Sequence, residues 1–277
     1  MRIAIVTDTS SGLNNEQVNK DDIYVLPIPY VIDGTPYTDN QSYQDFINEI
    51  NNGKKFAKTS QVAIGVVELM YEELLLKYDY IIHLPISSAL SSTCATAVSV
   101  AAKFGGRVKV VDQLKVATLL GNDVRHAARL AKEGKSVDEI IESLKSRYDD
   151  NVAYIIPFNL TTLKNGGRIN AATAALGNLI GIKPIIELKN GKLDQYGKER
   201  AIIKAYKVCL KAIMNVFNPE TQDLYILHCN EEYRAKEFGS YVEKEVEGIE
   251  VKYDLVPISI AAHTGPGTLA IGIVDKI

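Results

Sequence analysis

The chain has 277 residues, 46% hydrophobic, 23% charged and 8% aromatic, with 31 basic against 34 acidic side chains and a formal net charge of −3. That apolar content excludes a disordered chain, and the length suffices for one large or two modest domains with a buried core. There is no basic surplus to suggest nucleic acid, and no run reaches the ~18 apolar residues of a membrane span. Three widely spaced cysteines, Cys94, Cys209 and Cys229, argue against a disulfide framework and fit a reducing compartment. The first apolar stretch meets Asp8 too soon for a signal peptide, so the expected location is the cytoplasm.

Residues 3–6 form a short apolar run closed by Asp8-Thr9-Ser10-Ser11-Gly12, the pattern of a buried parallel strand. Residues 25–32 read as a second extended stretch, kept from a central position by Pro27 and Pro29. Tyr43, Phe46, Ile47 and Ile50 fall at helical spacing with Gly53 as a stop, and Val66, Met70, Tyr71 and Leu74 repeat that spacing. Then follow a strand over 80–84, an alanine-rich helix over 90–104, a strand over 108–111 and a helix over 114–133. Ser136 and Glu139 form a capping box for a helix running to 148. This alternation predicts a mainly parallel α/β sheet.

A second α/β domain is expected from a boundary near residue 150, giving domains 1–150 and 151–277. It starts with an extended stretch over 152–156 and an alanine-rich helix near 170–180. Residues 183–188 and 192–195 flank Asn190-Gly191, a favoured two-residue hairpin turn. A helix over 200–217, a strand over 224–228, a helix over 231–246 and strands over 251–256 and 270–274 complete the chain.

Three polar clusters stand at element ends. Lys58-Thr59-Ser60-Gln61 precedes a predicted helix and reads first as a cap. Ser87-Ser88-Ala89-Leu90-Ser91-Ser92-Thr93 has more hydroxyls than one cap requires. Next to free helix N–H groups, at the end of a parallel strand, it suits a small anion such as a carboxylate or phosphate. His263-Thr264-Gly265-Pro266-Gly267 precedes the last strand. The string Gly265 to Ala270 matches the dinucleotide pattern G-x-G-x-x-A, but a strand rather than a helix should follow it, so a nicotinamide site is rejected. No P-loop string occurs. Asp8 and Asp112 read as structural or capping residues, and Gly166-Gly167-Arg168 as a helix C-terminal turn or as an arginine meeting a phosphate or partner. The histidines, His83, His126, His228 and His263, lack metal-ligand spacing.

Taken together, Ile5-Val6-Thr7-Asp8-Thr9-Ser10, Thr59-Ser60-Gln61, the serine-rich string, Leu163-Lys164-Asn165-Gly166-Gly167-Arg168-Ile169 and His263-Thr264-Gly265-Pro266-Gly267 resemble the DegV family in family order. That family includes the fatty-acid-binding subunits of bacterial fatty acid kinase. The resemblance implies two α/β domains with a long-chain fatty acid, such as palmitate, between them and no cofactor. It implies that Thr59 and Ser91 hold the carboxylate and that His263 joins their polar network. It also implies that a separate ATP-binding kinase phosphorylates the bound carboxylate, a role in fatty acid metabolism or lipid transport. Arg168 and Arg200 would then meet the phosphate or the partner. Three positions depart from the family pattern: Val62 replaces a proline, Ser92 a glycine, and Gln113 a serine.

The expected protein is therefore a lipid-binding subunit rather than a complete enzyme. Two other classes stay open: a stand-alone enzyme, either a phosphotransferase using Asp8 or a hydrolase using Ser91 with His263, and a lipid-sensing regulator that contacts another protein. No G-x-S-x-G elbow surrounds Ser91.

Overall fold

A computed structural model of the chain describes residues 1–13, 18, 22–37, 42–50, 54–148, 152–158, 160–169 and 181–277. In chain order the first half contributes β1 (Ile3–Asp8), β2 (Ile23–Leu26), β3 (Tyr30–Ile32), β4 (Thr35–Tyr37), α1 (Tyr43–Glu49), β5 (Ala57–Thr59), α2 (Ile64–Leu75) and β6 (Tyr80–His83). It continues with α3 (Thr93–Ala101), β7 (Val108–Val110), α4 (Ala117–Lys132) and α5 (Val137–Ser146). The second half contributes β8 (Ala153–Ile156), α6 (Leu160–Gly166), β9 (Lys183–Lys189), β10 (Lys192–Glu199) and α7 (Ile202–Met214). It ends with β11 (Gln222–His228), α8 (Glu232–Glu245), β12 (Val251–Leu255), α9 (Ile258–Thr264) and β13 (Leu269–Asp275).

The first half carries a parallel sheet in the order β2-β1-β6-β7. Every residue of β1 but the last is apolar or Thr, and all six are buried. Its alternate side chains feed two cores. Ala4 and Val6 pack with Val67 and Tyr71 of α2, while Ile3 and Ile5 pack with Leu120 and Val124 of α4. A strand covered on both faces needs such an unbroken apolar run. The second half carries a six-stranded sheet, β10-β9-β8-β13-β11-β12, antiparallel except for the β11–β12 pair. Its core includes Tyr206 stacked on Phe238, with ring centroids 4.1 Å apart. The halves share an apolar cluster in which Tyr30, Phe46 and Ala117 meet Leu227, Val256 and Ala261.

Most expected elements are present, and the capping box of Ser136 and Glu139 forms in full. The stretch over 25–32 is divided between two sheets. Pro27 and Pro29 interrupt the ladder, so that β2 ends as an edge of the parallel sheet and β3 joins a small antiparallel sheet, β4-β3-β5. The helix expected from residue 90 starts at Thr93, because the backbone of Ser87 to Ser91 is spent on turns. The helix expected from 114 starts at Ala117. Strands β4 and β5 and helices α6 and α9 are additions that sequence periodicity did not show; each has only three or seven residues. The boundary at residue 150, the stop at Gly53 and the helix over 170–180 lie outside the described residues.

Candidate functional site

The site begins with sheet order. The chain places β2 on one side of β1 and later β6 on the other. The connections leaving the carboxyl ends of β1 and β6 therefore run in opposite directions, toward β2 and β7, the arrangement that opens a crevice between them. The serine-rich loop after β6 is clamped from both neighbouring strands. On the β1 side, Asp8 accepts hydrogen bonds from Ile86 N at 2.8 Å, from Ser10 N at 3.0 Å and from the Ser10 hydroxyl. On the β7 side, Asp112 accepts from Leu114 N at 3.0 Å and, more loosely, from Ser88 N at 3.3 Å. Asp8 is the N-cap of a short 3-10 helix, Thr9–Ser11, and is fully buried. Burial pushes its carboxyl above the usual range against the three donors. The structural reading of both aspartates holds.

The Asn190-Gly191 turn of the second half docks on the same loop. Both residues have positive φ, 48° and 72°, as a two-residue hairpin turn requires. Gly191 O accepts from the Ser87 hydroxyl at 3.1 Å, and a Cβ on Gly191 would overlap that oxygen.

Thr59 is the last residue of β5, paired with Tyr30. It caps no helix: α2 starts at Ile64, and its N-cap, Ala63, has no side-chain bond. Instead its hydroxyl lies 2.6 Å from Nε2 of His263 on α9, 204 positions away in the chain. The histidine is 8% exposed. Its Nδ1 is buried without a hydrogen-bond partner among the described residues and packs against Gly166, where a methyl group would overlap it. A proton on Nδ1 would be an unpaired buried donor, whereas a proton on Nε2 leaves only a lone pair there. We assign the proton to Nε2, which then donates to Thr59. Thr59 keeps its own hydrogen for another acceptor.

Gly166 closes α6, and its carbonyl accepts from Nη1 of Arg168. Nε of Arg168 donates to Leu90 O at 3.3 Å, one residue before Ser91. Two hydrogen-bonded groups, Thr59 with His263 and Arg168 with Gly166 and Leu90, thus meet where the imidazole packs on Gly166. Ser91 Oγ accepts from Thr93 N at 3.2 Å and lies 3.0 Å from the Thr93 hydroxyl.

Thr59, Ser91, Arg168 and His263 border one narrow cleft, with about 590 Å³ of space between atoms, part of it open to solvent. The rest of its lining is mainly apolar, including Ile28, Ile86, Val116, Ile155, Leu193 and Ile260. Both halves contribute. Arg200 is not in this lining; it is exposed, just past β10. Asp8 is not in it either. His263 Nε2 has Thr59 as its hydrogen-bond partner, not Ser91. One polar lining residue, Ser259, escaped the sequence reading, and Thr264 was noted only as part of the histidine string; both lie on α9. The histidine string gave a signal for that element, but seven residues give too little periodicity to show a helix. Of the departures from the family pattern, Val62 is core and Gln113 is buried, while Ser92 is exposed and borders no part of the cleft.

Burial, with the Arg168 guanidinium adding to it, pushes the His263 imidazole down to about 4. Burial also lowers His83 to about 3, His126 to about 4, and His228. Below the ordinary value near 6.5 the unfolded chain takes up protons that the folded chain refuses, so stability is greatest above that value and falls with acidification. At about pH 5 each of His83, His126 and His263 should cost about 2 kcal/mol, offset in part by Asp8, whose raised value acts in the opposite sense. Urea midpoints measured from pH 7.5 to 4.5 should fall steadily below 6.5; a flat profile would contradict this assignment.

The cleft thus lies at the carboxyl end of a parallel sheet in an α/β protein with two large sheets and a small third one. The chain belongs to the DegV family: the model of that family of uncharacterised proteins matches residues 2–276. DegV domain-containing protein SA1258 of Staphylococcus aureus strain N315 is 32% identical over 280 residues, with 98% of both chains covered. The solved fatty-acid-binding DegV family protein of Thermus thermophilus superposes with a TM-score of 0.89 at 29% identity, covering 100% of both chains. The fatty-acid-binding DegV family protein SAG1342 of Streptococcus agalactiae superposes with a TM-score of 0.90 at 26% identity, again over 100% of both. The family resemblance and the α/β fold expected from sequence are therefore correct. No helix among the described residues is long and apolar enough to cross a membrane.

Proposed function

We propose that the chain binds a long-chain fatty acid in this cleft and presents its carboxylate to a separate ATP-dependent kinase. One observation carries the reading: four polar side chains remote in sequence, Thr59, Ser91, Arg168 and His263, share a cleft whose other walls are mainly apolar. The two solved relatives named as fatty-acid-binding proteins support the ligand class. An amphiphilic anion matches both surfaces. Burying ~14 methylenes at about 0.8 kcal/mol each sets an upper bound near ~11 kcal/mol for the tail. The polar group fixes the head.

In this reading the Thr59 hydroxyl, with its oxygen bonded by His263, donates its hydrogen to one carboxylate oxygen. Ser91 does the same once Thr93 donates to it. Arg168 adds positive charge. A carboxylate oxygen then attacks the γ-phosphorus of ATP bound by the partner. The bond to the ADP oxygen breaks, and an acyl phosphate forms. Phosphoryl transfer needs metal and phosphates held in line, a task left to the partner. In this reading Arg200, exposed past β10, contacts the kinase. Lipid-loaded protein with Mg-ATP should release no ADP alone and should yield acyl phosphate once the kinase is added. Arg200→Ala should slow that transfer severalfold while lipid retention is unchanged. Sustained ADP release by the pure chain would overturn the carrier reading.

A further inference from the structure

Helix α9 turns two rows of side chains to the cleft. Residues four apart on a helix share a face, about 6 Å apart along the axis. Ser259 therefore lies one turn from His263, and Ile260 one turn from Thr264; all four border the cleft. Ser259 is 2% exposed, and its Oγ is buried without a hydrogen-bond partner among the described residues. The Thr264 hydroxyl is in the same state but stands beside His263, at the head of the site. A buried hydroxyl normally has a partner, because losing water without replacement is costly. The apolar wall around the tail supplies none.

With the carboxylate held by Thr59 and Ser91, and His263 engaged with Thr59, the group we assign to Ser259 comes from the acyl chain, a short way from its head. We infer that the cleft takes long-chain acids bearing an oxygen, as a hydroxyl or keto group, near the carboxyl end, and that Ser259 is the residue that selects them. This rests on the fatty-acid reading above. A serine hydroxyl both donates and accepts, so either oxygen function satisfies it. An unsubstituted chain leaves it unpaired.

The test is calorimetric titration of the wild-type chain and Ser259→Ala with palmitate, β-hydroxypalmitate and ω-hydroxypalmitate. The wild type should bind β-hydroxypalmitate about two- to tenfold more tightly than palmitate, the worth of one added hydrogen bond. The ω isomer, with the same oxygen at the far end, should show no such gain. Ser259→Ala should bind palmitate at least as tightly as the wild type and show no preference for the β isomer. The substitution removes an unpaired group and leaves a better helix former, and a thermal melt checks that the fold is kept. Equal wild-type affinity for palmitate and β-hydroxypalmitate, or a preference that survives in Ser259→Ala, overturns the inference while the fatty-acid reading stands. Failure of all three acids to bind overturns both.

Discussion

Thr59→Val and Ser91→Ala should each weaken fatty acid binding by about ten- to hundredfold. Ser91→Ala should leave the thermal midpoint nearly unchanged, whereas Thr59→Val should lower it, because the stranded His263 Nε2–H costs roughly 1–3 kcal/mol. A hydrogen bond to a charged group is worth roughly 1.5–3 kcal/mol, and about 1.4 kcal/mol is tenfold in affinity. Thr59 and Ser91 are both only half-buried, so neither substitution opens a cavity. Thr59→Val is the sharper of the two. It keeps the shape of the side chain but removes both the acceptor for His263 Nε2 and the hydrogen offered to the carboxylate. His263→Ala should act by the same route, since Thr59 then loses the donor that orients it, with a smaller loss of lipid. Wild-type affinity in both the Thr59 and Ser91 variants would remove these residues from the head site.

Asp8→Ala should destabilise the fold by about 3–5 kcal/mol, because it strands buried donors that each cost about 1–3 kcal/mol unpaired. The donors are Ser10 N, the Ser10 hydroxyl and Ile86 N. Asp8→Asn keeps one acceptor but turns an amide toward Ile86 N–H, so a smaller loss is expected. Both should also weaken lipid binding, since Ile86 and Leu90 border the cleft and Asp8 pins the start of their loop. Urea denaturation reads the first effect and lipid titration the second. Unchanged stability in Asp8→Ala would show that the clamp is not needed, and would return Asp8 to the candidates for chemistry.

What the sequence makes legible in this protein falls off with distance along the chain. Local sequence showed β1 and β6 as unbroken apolar runs, α4 as a long helical stretch and the Asn190-Gly191 hairpin by its turn pair, because each carries its signal within a few neighbouring residues. It did not show β5 or α9, whose three and seven residues are held by tertiary partners rather than by their own amphipathicity. These two elements carry Thr59 and His263. Nothing local to Thr59-Ser60-Gln61 distinguishes a helix cap from a ligand, and capping is the commoner use of those residue types. The observed bond to His263 spans 204 positions, beyond what local spacing can encode.

The sequence by itself determined the α/β class, the parallel sheet of the first half, the family and the strings that border the cleft. It also determined that Asp8 and Asp112 stand at strand ends, where short carboxylates cap loops. Tertiary structure alone decided which strings meet. Sheet order set β6 between β1 and β7, which fixed the serine-rich loop from both sides. Packing of α9 against β5 and α6 brought His263 onto Thr59, and the bare Cα of Gly166 left room for the ring. Arg200, grouped with Arg168 on sequence, was left exposed outside the cleft lining. The physical reason is that local patterns record which face of an element is apolar, whereas a binding site depends on which faces the whole chain then brings together.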